Sequence, residues 1–219
     1  MPLAMPQNVP AICAALSAPR MGTYLVAAAG DQARAVELYG WNARISSALI
    51  LPAHFAEVST RNAVDDALTT KYGPRRPWNA TFEQSLPDGG GPAFNARRNL
   101  RSVRAVERST GKVIAELKFM FWQAMFTARH DQRLWNRQIA ALFPHADTDS
   151  PQQLRARIYD DLETIRRLRN RIAHHEPIFA RDLADDLAKM IDLCRIRSAA
   201  TARWVQALED VTATLAERP

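Results

Sequence analysis

The chain has 219 residues, of which 47% are apolar and 24% are charged, a composition typical of a globular protein and not of a disordered or fibrous chain. The 29 basic and 23 acidic residues give a formal net charge of +6, which permits nucleic-acid binding and is equally compatible with an ordinary basic surface. The two cysteines, Cys13 and Cys194, are far apart and have no CxxC spacing, which argues against both a disulfide framework and a zinc site.

Segments that would target the chain to a membrane are not apparent in the sequence. No run approaches the roughly 18 apolar residues of a spanning helix. The N-terminal stretch MPLAMPQNVP lacks the basic start and long apolar run of a signal peptide. We therefore expect a cytoplasmic protein that does not enter the membrane.

Hydrophobic spacing and helix-end signals predict an all-α fold with no significant sheet. In the long predicted segment 31–73, Pro52 is expected to kink or divide the helix because its ring removes an amide donor. Ser150 and Pro151 form a helix start, and Pro177 ends that helix near residue 174 or 175. In chain order, helices are predicted over 9–16, 21–29, 31–73, 96–109, 113–129, 131–142, 151–174, 181–195 and 199–216.

The glycine- and proline-rich stretch PDGGGPAFN, residues 87–95, is the clearest predicted loop. It separates an N-terminal helical half, 9–73, from a C-terminal half, 96–217. A domain boundary at this loop remains an alternative, but each half is small, and we expect a single domain over 1–219 with one shared core.

The stretch RLRNRIAHHEPIF, residues 167–179, carries the strongest chemical signal. Asn170 and His174 lie one helical turn apart and nearly stacked, whereas Arg169 and His174 diverge by roughly 140° around the helix. Histidine exchanges protons near neutral pH, and the arginine fork binds phosphate. The combination suits cleavage of a phosphodiester, with a base for a ribose 2′-hydroxyl and a cation for the phosphate.

Simpler interpretations of this stretch stay open from spacing alone. Two histidines at a helix C-terminus favour the negative end of the helix dipole, and an arginine-rich face is usually solvated. A metal site is disfavoured, because adjacent helical side chains such as His174 and His175 diverge by about 100°.

The motif resembles that of the Abi-like (AbiD/AbiF-type) abortive-infection proteins of the HEPN superfamily, written RNxxxH. Arg169, Asn170 and His174 match it residue by residue, and His175 also falls within the permitted spacing. The segments LSAPRMGTYLVAA, AVELYGWNARISSAL, FAEVSTRNAVDDAL and LKFMFWQAMF are similar to further blocks of this family. The resemblance thus covers about residues 16–180.

The resemblance implies a HEPN-like helical bundle with additional N-terminal helices, and a homodimer in which the motif helices face each other. It implies a metal-independent endoribonuclease without cofactors that acts in phage defence or as a toxin, with RNA as substrate and an antitoxin protein as a possible partner. By resemblance, His174 transfers protons and Arg169 binds the scissile phosphate, while Asn170 orients either the phosphate or the histidine. The alternative is an inactive module that binds RNA or a partner protein.

Further residues are weaker candidates for this site. His175 and Arg171 are auxiliary candidates, and either His174 or His175 is compatible with proton transfer. Glu57 and Arg61 form an ordinary i,i+4 ion pair in the simpler interpretation and line the cleft in the functional one. Candidates for RNA contact are Arg166, Arg167, Phe94, Arg97 and Arg98.

Overall fold

The computed structural model describes residues 6–91, 93–148 and 150–219. Residues 1–5 of the predicted domain, Pro92 of the predicted loop, and Asp149 lie outside the described residues. The described ranges contain helices and no strand, which confirms the all-α prediction. The α-helices are α1 (Val9–Leu16), α2 (Ala18–Ala27), α3 (Gln32–Tyr72), α4 (Ala80–Ser85), α5 (Ala96–Val106), α6 (Thr110–Glu116), α7 (Phe119–Ala124), α8 (Asn136–Leu142), α9 (Pro151–Ala173), α10 (Leu183–Arg197), α11 (Ala199–Leu208) and α12 (Val211–Ala216).

Helix α3 lies at the centre of the fold and packs against α1, α2 and α7 to α12. Its start is capped by Asp31, whose Oδ1 accepts from the amides of Ala33 at 2.9 Å and Arg34 at 3.1 Å. It ends at Gly73, whose φ of 82° is readily adopted only without a side chain. Of the two outcomes expected at Pro52, a kink or a division, division is wrong, because the helix runs unbroken through this residue.

One hydrophobic cluster contains buried side chains from both halves of the chain. Trp41 of α3 is fully buried, and its indole Nε1 donates to the carbonyl oxygen of Thr214 in α12 at 2.7 Å. None of the helices in the described part of the chain is long and apolar enough to cross a bilayer.

Helix α9 carries the motif and is fixed against the core by one apolar stripe. Ser150 caps its first turn, with Oγ 3.4 Å from the amide of Gln153. At about 1.5–3 kcal/mol for each fully buried aliphatic side chain, the stripe anchors the helix firmly. Its buried members are Leu154, Ile158, Leu162, Ile165 and Leu168.

Several predicted helices are interrupted in the structure. Residues 113–129 contain the end of α6, all of α7 and the start of a 3₁₀ turn at Ala128–His130. Residues 131–142 begin as a π-helix at Asp131–Trp135. Residues 199–216 form two helices, α11 and α12. Short elements at Arg76–Trp78 and Ala80–Ser85 were not predicted.

Candidate active site

The C-terminal end of α9 is a left-handed turn that contains the two adjacent histidines. His174 is the C-cap, and His175 follows with a φ of 56°. The amide of Glu176 donates to the carbonyl of Arg171 at 2.8 Å, and that of His175 to the carbonyl of Ile172 at 3.0 Å. This is the Schellman pattern, in which glycine is the usual residue at the position of His175. The helix therefore ends where Pro177 predicts.

Arg169 is held at the meeting point of three helices. Its Nη1 lies 2.7 Å from Oε2 of Glu57 on α3. Its guanidinium also lies over the ring of Phe119 on α7, 5.3 Å from the ring centroid, a distance at which a cation is attracted to the aromatic face. The arginine side chain is nonetheless 38% exposed, so it keeps a surface that a phosphate oxygen can reach.

A groove of about 230 Å³ opens beside this ion pair. We call it the motif groove. It is lined by Ile50 of α3, Phe119 of α7, and Arg166, Arg169, Asn170, Ile172 and Ala173 of α9.

His174 lies just beyond the motif groove, one turn after Asn170. The His174 amide donates to the Asn170 carbonyl at 3.0 Å, and both side chains are exposed. Neither the imidazole of His174 nor the side-chain amide of Asn170 makes a hydrogen bond within residues 6–91, 93–148 and 150–219. The structure thus brings Arg169 and Asn170 to one groove and leaves His174 at its edge, free to turn toward a ligand.

The auxiliary candidates have different surroundings. Arg171 fixes the turn after α9, because its Nη2 donates to the carbonyl of Pro177 at 2.7 Å. The carbonyl of His175 accepts from the guanidinium of Arg20 on α2. The predicted i,i+4 ion pair is absent, since Glu57 pairs with Arg169 and not with Arg61. The Nε of Arg61 is buried and has no partner among the described residues.

Arg166 and Arg167 share one acid, Glu163, on the same helix. Glu163 accepts from Nε of Arg166 at 2.9 Å and Nε of Arg167 at 2.7 Å, and from the amide of Gln123 at 2.8 Å. The hydrogen bond from Arg166 is the main cause that lowers the pKa of Glu163 to about 2. Both arginines are therefore partly neutralised, although Arg167 stays largely exposed.

The three RNA-contact candidates in and just after the predicted loop have different surroundings. Phe94 is half-buried and packs against the core. Arg97, in the first turn of α5, ties this helix to the end of α4, because it donates to the carbonyls of Gln84 and Leu86 at 2.6 Å each. Only Arg98 of this set is exposed without a side-chain partner in the described part of the chain.

Two contributors to this region were not singled out from the sequence. Phe119 supports Arg169 through a contact between separate helices, for which no local signal exists. Glu163 was visible in principle, because it precedes Arg166 and Arg167 by three and four positions. No group of three or more His, Cys, Asp or Glu side chains in the described ranges is arranged to hold a metal ion.

The chain was compared with family models, curated proteins and solved structures. No family model matches it, and no curated protein or solved structure gives a significant match.

Proposed function

We propose that the chain is a metal-independent endoribonuclease that cleaves RNA at the RNxxxH motif as a homodimer, in phage defence or as a toxin. The observation that carries this proposal is that one end of α9 bears both an exposed imidazole, His174, with no hydrogen-bond partner in the described ranges, and the guanidinium of Arg169, which lines the motif groove. The resemblance of the motif and its flanking blocks to the Abi-like family supports the same chemistry.

In the proposed reaction, His174 takes the proton of a ribose 2′-hydroxyl as the oxygen attacks the adjacent phosphorus. The bond from phosphorus to the 5′-oxygen breaks, and that oxygen receives the proton back from the same protonated imidazole. The products are a 2′,3′-cyclic phosphate and a 5′-hydroxyl. In a dimer with facing motif helices, each site combines His174 of one protomer with Arg169 of its partner.

Arg169 binds the phosphate and stabilises the charge that develops on its oxygens. The Glu57 carboxylate, 2.7 Å away, already occupies one side of the guanidinium. It stands in for a phosphate oxygen and orients the fork before RNA arrives. Because this ion pair is partly exposed, it is expected to contribute only about 0.2–1 kcal/mol, so a phosphate can compete with it.

The Glu57 contact also supports a second candidate, an inactive module that binds RNA or a partner protein such as an antitoxin. In that case, Glu57 holds Arg169 as a structural ion pair, and His174 stays outside the motif groove when RNA or a partner protein binds.

Cleavage of RNA in excess chelator tests the proposal. We expect wild-type protein to release fragments with 2′,3′-cyclic phosphate ends, and Arg169→Ala and His174→Ala each to lose about 10²–10⁴-fold in rate. Arg203→Ala and His145→Ala are the matched controls, because both side chains are exposed and lie outside the motif. Undiminished cleavage by both motif variants would reject the site, and RNA binding without any product would favour the inactive module.

A further inference from the structure

A second concavity lies on the other side of the α9 terminus from the motif groove. Its volume is about 240 Å³, below the roughly 300–1,000 Å³ typical of pockets for drug-sized ligands. Tyr24 of α2, Tyr39 and Asn42 of α3, and His175 contribute to its wall. Ile172 borders both this concavity and the motif groove, so the two lie side by side across the end of α9.

Aromatic rings form one side of this concavity. The rings of Tyr24 and Tyr39 lie 5.0 Å apart with a tilt of 59°, and Tyr24 also contacts Phe179 at 5.3 Å. Tyr24 is fully buried, whereas Tyr39 is half-buried. Tyr39 is therefore held by its neighbours and still presents part of its surface to a ligand.

Polar groups complete the wall. Oδ1 of Asn42 accepts from the amide of Ile178 at 2.8 Å. This contact decides which end of the Asn42 amide is oxygen, and leaves Nδ2 as a donor without a partner in the described ranges. Glu176 adds a carboxylate acceptor that is 48% exposed and whose Oε2 lies 3.6 Å from Nε of Arg171. A donor and an acceptor beside an aromatic ring match the alternating polar edge of a nucleobase.

We propose that this concavity, which we call the base pocket, holds one unpaired nucleobase of the RNA strand whose phosphate lies at Arg169. The inference rests on the proposed function and adds a determinant of sequence preference to it. A strand that crosses the end of α9 at Ile172 places a base on Tyr39 and the adjoining phosphate in the motif groove. Proteins that recognise single-stranded RNA commonly place splayed-out bases on aromatic side chains in this way.

Filling the base pocket tests this assignment without removing any of its polar contacts. Ala43 lines the pocket and is exposed, so Ala43→Trp places a large ring in the cavity. The matched control is Ala213→Trp, an exposed helical alanine on α12. With a randomised RNA library, we expect wild type and Ala213→Trp to prefer certain bases at one position beside the cut by about tenfold in kcat/KM. We expect Ala43→Trp to lose this preference.

A binding assay separates failure of the base pocket from failure of the ribonuclease proposal. The probes are four homopolymeric RNA oligonucleotides with 2′-O-methyl groups, which bind but lack the attacking hydroxyl. Affinities that differ by base in wild type and become equal in Ala43→Trp support the base pocket, even when no RNA is cleaved. Equal affinities in wild type, or an unchanged preference in Ala43→Trp, overturn it even when cleavage is efficient.

Discussion

The buried histidine His130 is expected to make the protein sensitive to acid. It ends the 3₁₀ turn Ala128–His130 and is 1% exposed. Burial is the main cause that lowers the pKa of His130 from 6.5 to about 3, and the nearby charges of Arg133 and Arg129 act in the same direction. Nδ1 of His130 lies 3.5 Å from Nη2 of Arg133, so a proton on the ring would face a like charge.

The direction of the pH effect follows from proton binding in the two states. The folded protein keeps His130 neutral until about pH 3, whereas the unfolded chain takes up the proton near 6.5. The unfolded state therefore binds more protons in acid, and the free energy of unfolding falls as pH drops below 6.5. Linkage between these two pKa values gives a loss of about 2 kcal/mol by about pH 5. That loss is a large share of the roughly 5–15 kcal/mol that stabilises a typical domain.

Urea unfolding at about pH 7.5 and about pH 5 measures this effect in three proteins. Between the two pH values, wild type should lose about 2 kcal/mol more than His130→Gln, whose side chain does not titrate. A lower free energy of unfolding in His130→Gln at both pH values does not affect the test, because only the difference between the two pH values is compared. His145→Gln, which alters an exposed histidine, should follow wild type. An equal loss in wild type and His130→Gln would refute the reasoning.

Three further predictions concern single side chains. Burial is the main cause that raises the pKa of Asp161 from 3.8 to about 6. The ionised side chain therefore lowers the free energy of unfolding above pH 6, and this destabilisation disappears as pH falls from 6 to 3.8. Asp161→Asn should therefore be more stable by about 1–3 kcal/mol near pH 7.5 and show no such advantage near pH 4 in urea titrations; an equal gain at both pH values would contradict this. His175→Gly should raise the free energy of unfolding by about 0.5–1 kcal/mol, because glycine adopts the φ of 56° without steric cost, and a lower melting temperature would contradict it. Glu57→Gln removes the charge that competes with phosphate for Arg169 but keeps a side-chain oxygen to orient it, and it should tighten RNA binding about two- to fivefold; weaker binding in a fluorescence titration would contradict this competition.

Local signals in the sequence predicted the helices whose ends are set by neighbouring residues. Asp31 and Gly73 delimit α3, and Ser150 starts α9, because caps and left-handed turns involve residues only a few positions apart. The end of α9 was also predicted, from Pro177. The turn after α11 follows the same logic and was missed, although Glu209 accepts from the amide of Thr212 at 2.9 Å.

Other boundaries depend on contacts between distant parts of the chain. The break between α6 and α7 is stabilised where the amide of Lys118 donates to the side chain of Asn99 at 3.2 Å. Pro52 fails to divide α3 because its neighbours Leu49, Ala53 and Ala56 are buried on the same helix. The free energy gained from their packing exceeds the loss of one backbone hydrogen bond. Rules based on neighbouring residues do not include this packing.

The candidate site shows the same division. Asn170 and His174 could be placed one turn apart from helix geometry alone. The contact between Glu57 and Arg169 could not, because it joins residues on α3 and α9 that are far apart in sequence, and their meeting depends on how the helices pack. The local expectation paired Glu57 with Arg61 instead. The base pocket was equally invisible, since it combines α2, α3 and the turn after α9.

The most direct test of the central claim mixes two inactive variants. If each cleavage site takes Arg169 from one protomer and His174 from the other, a dimer of one Arg169→Ala and one His174→Ala chain contains one intact site. Random exchange of subunits should then restore about a quarter of wild-type ribonuclease activity, while each variant alone stays inactive. No recovery in the mixture, under conditions in which the wild-type chain cleaves RNA and the subunits are shown to exchange, would contradict a site shared between two chains.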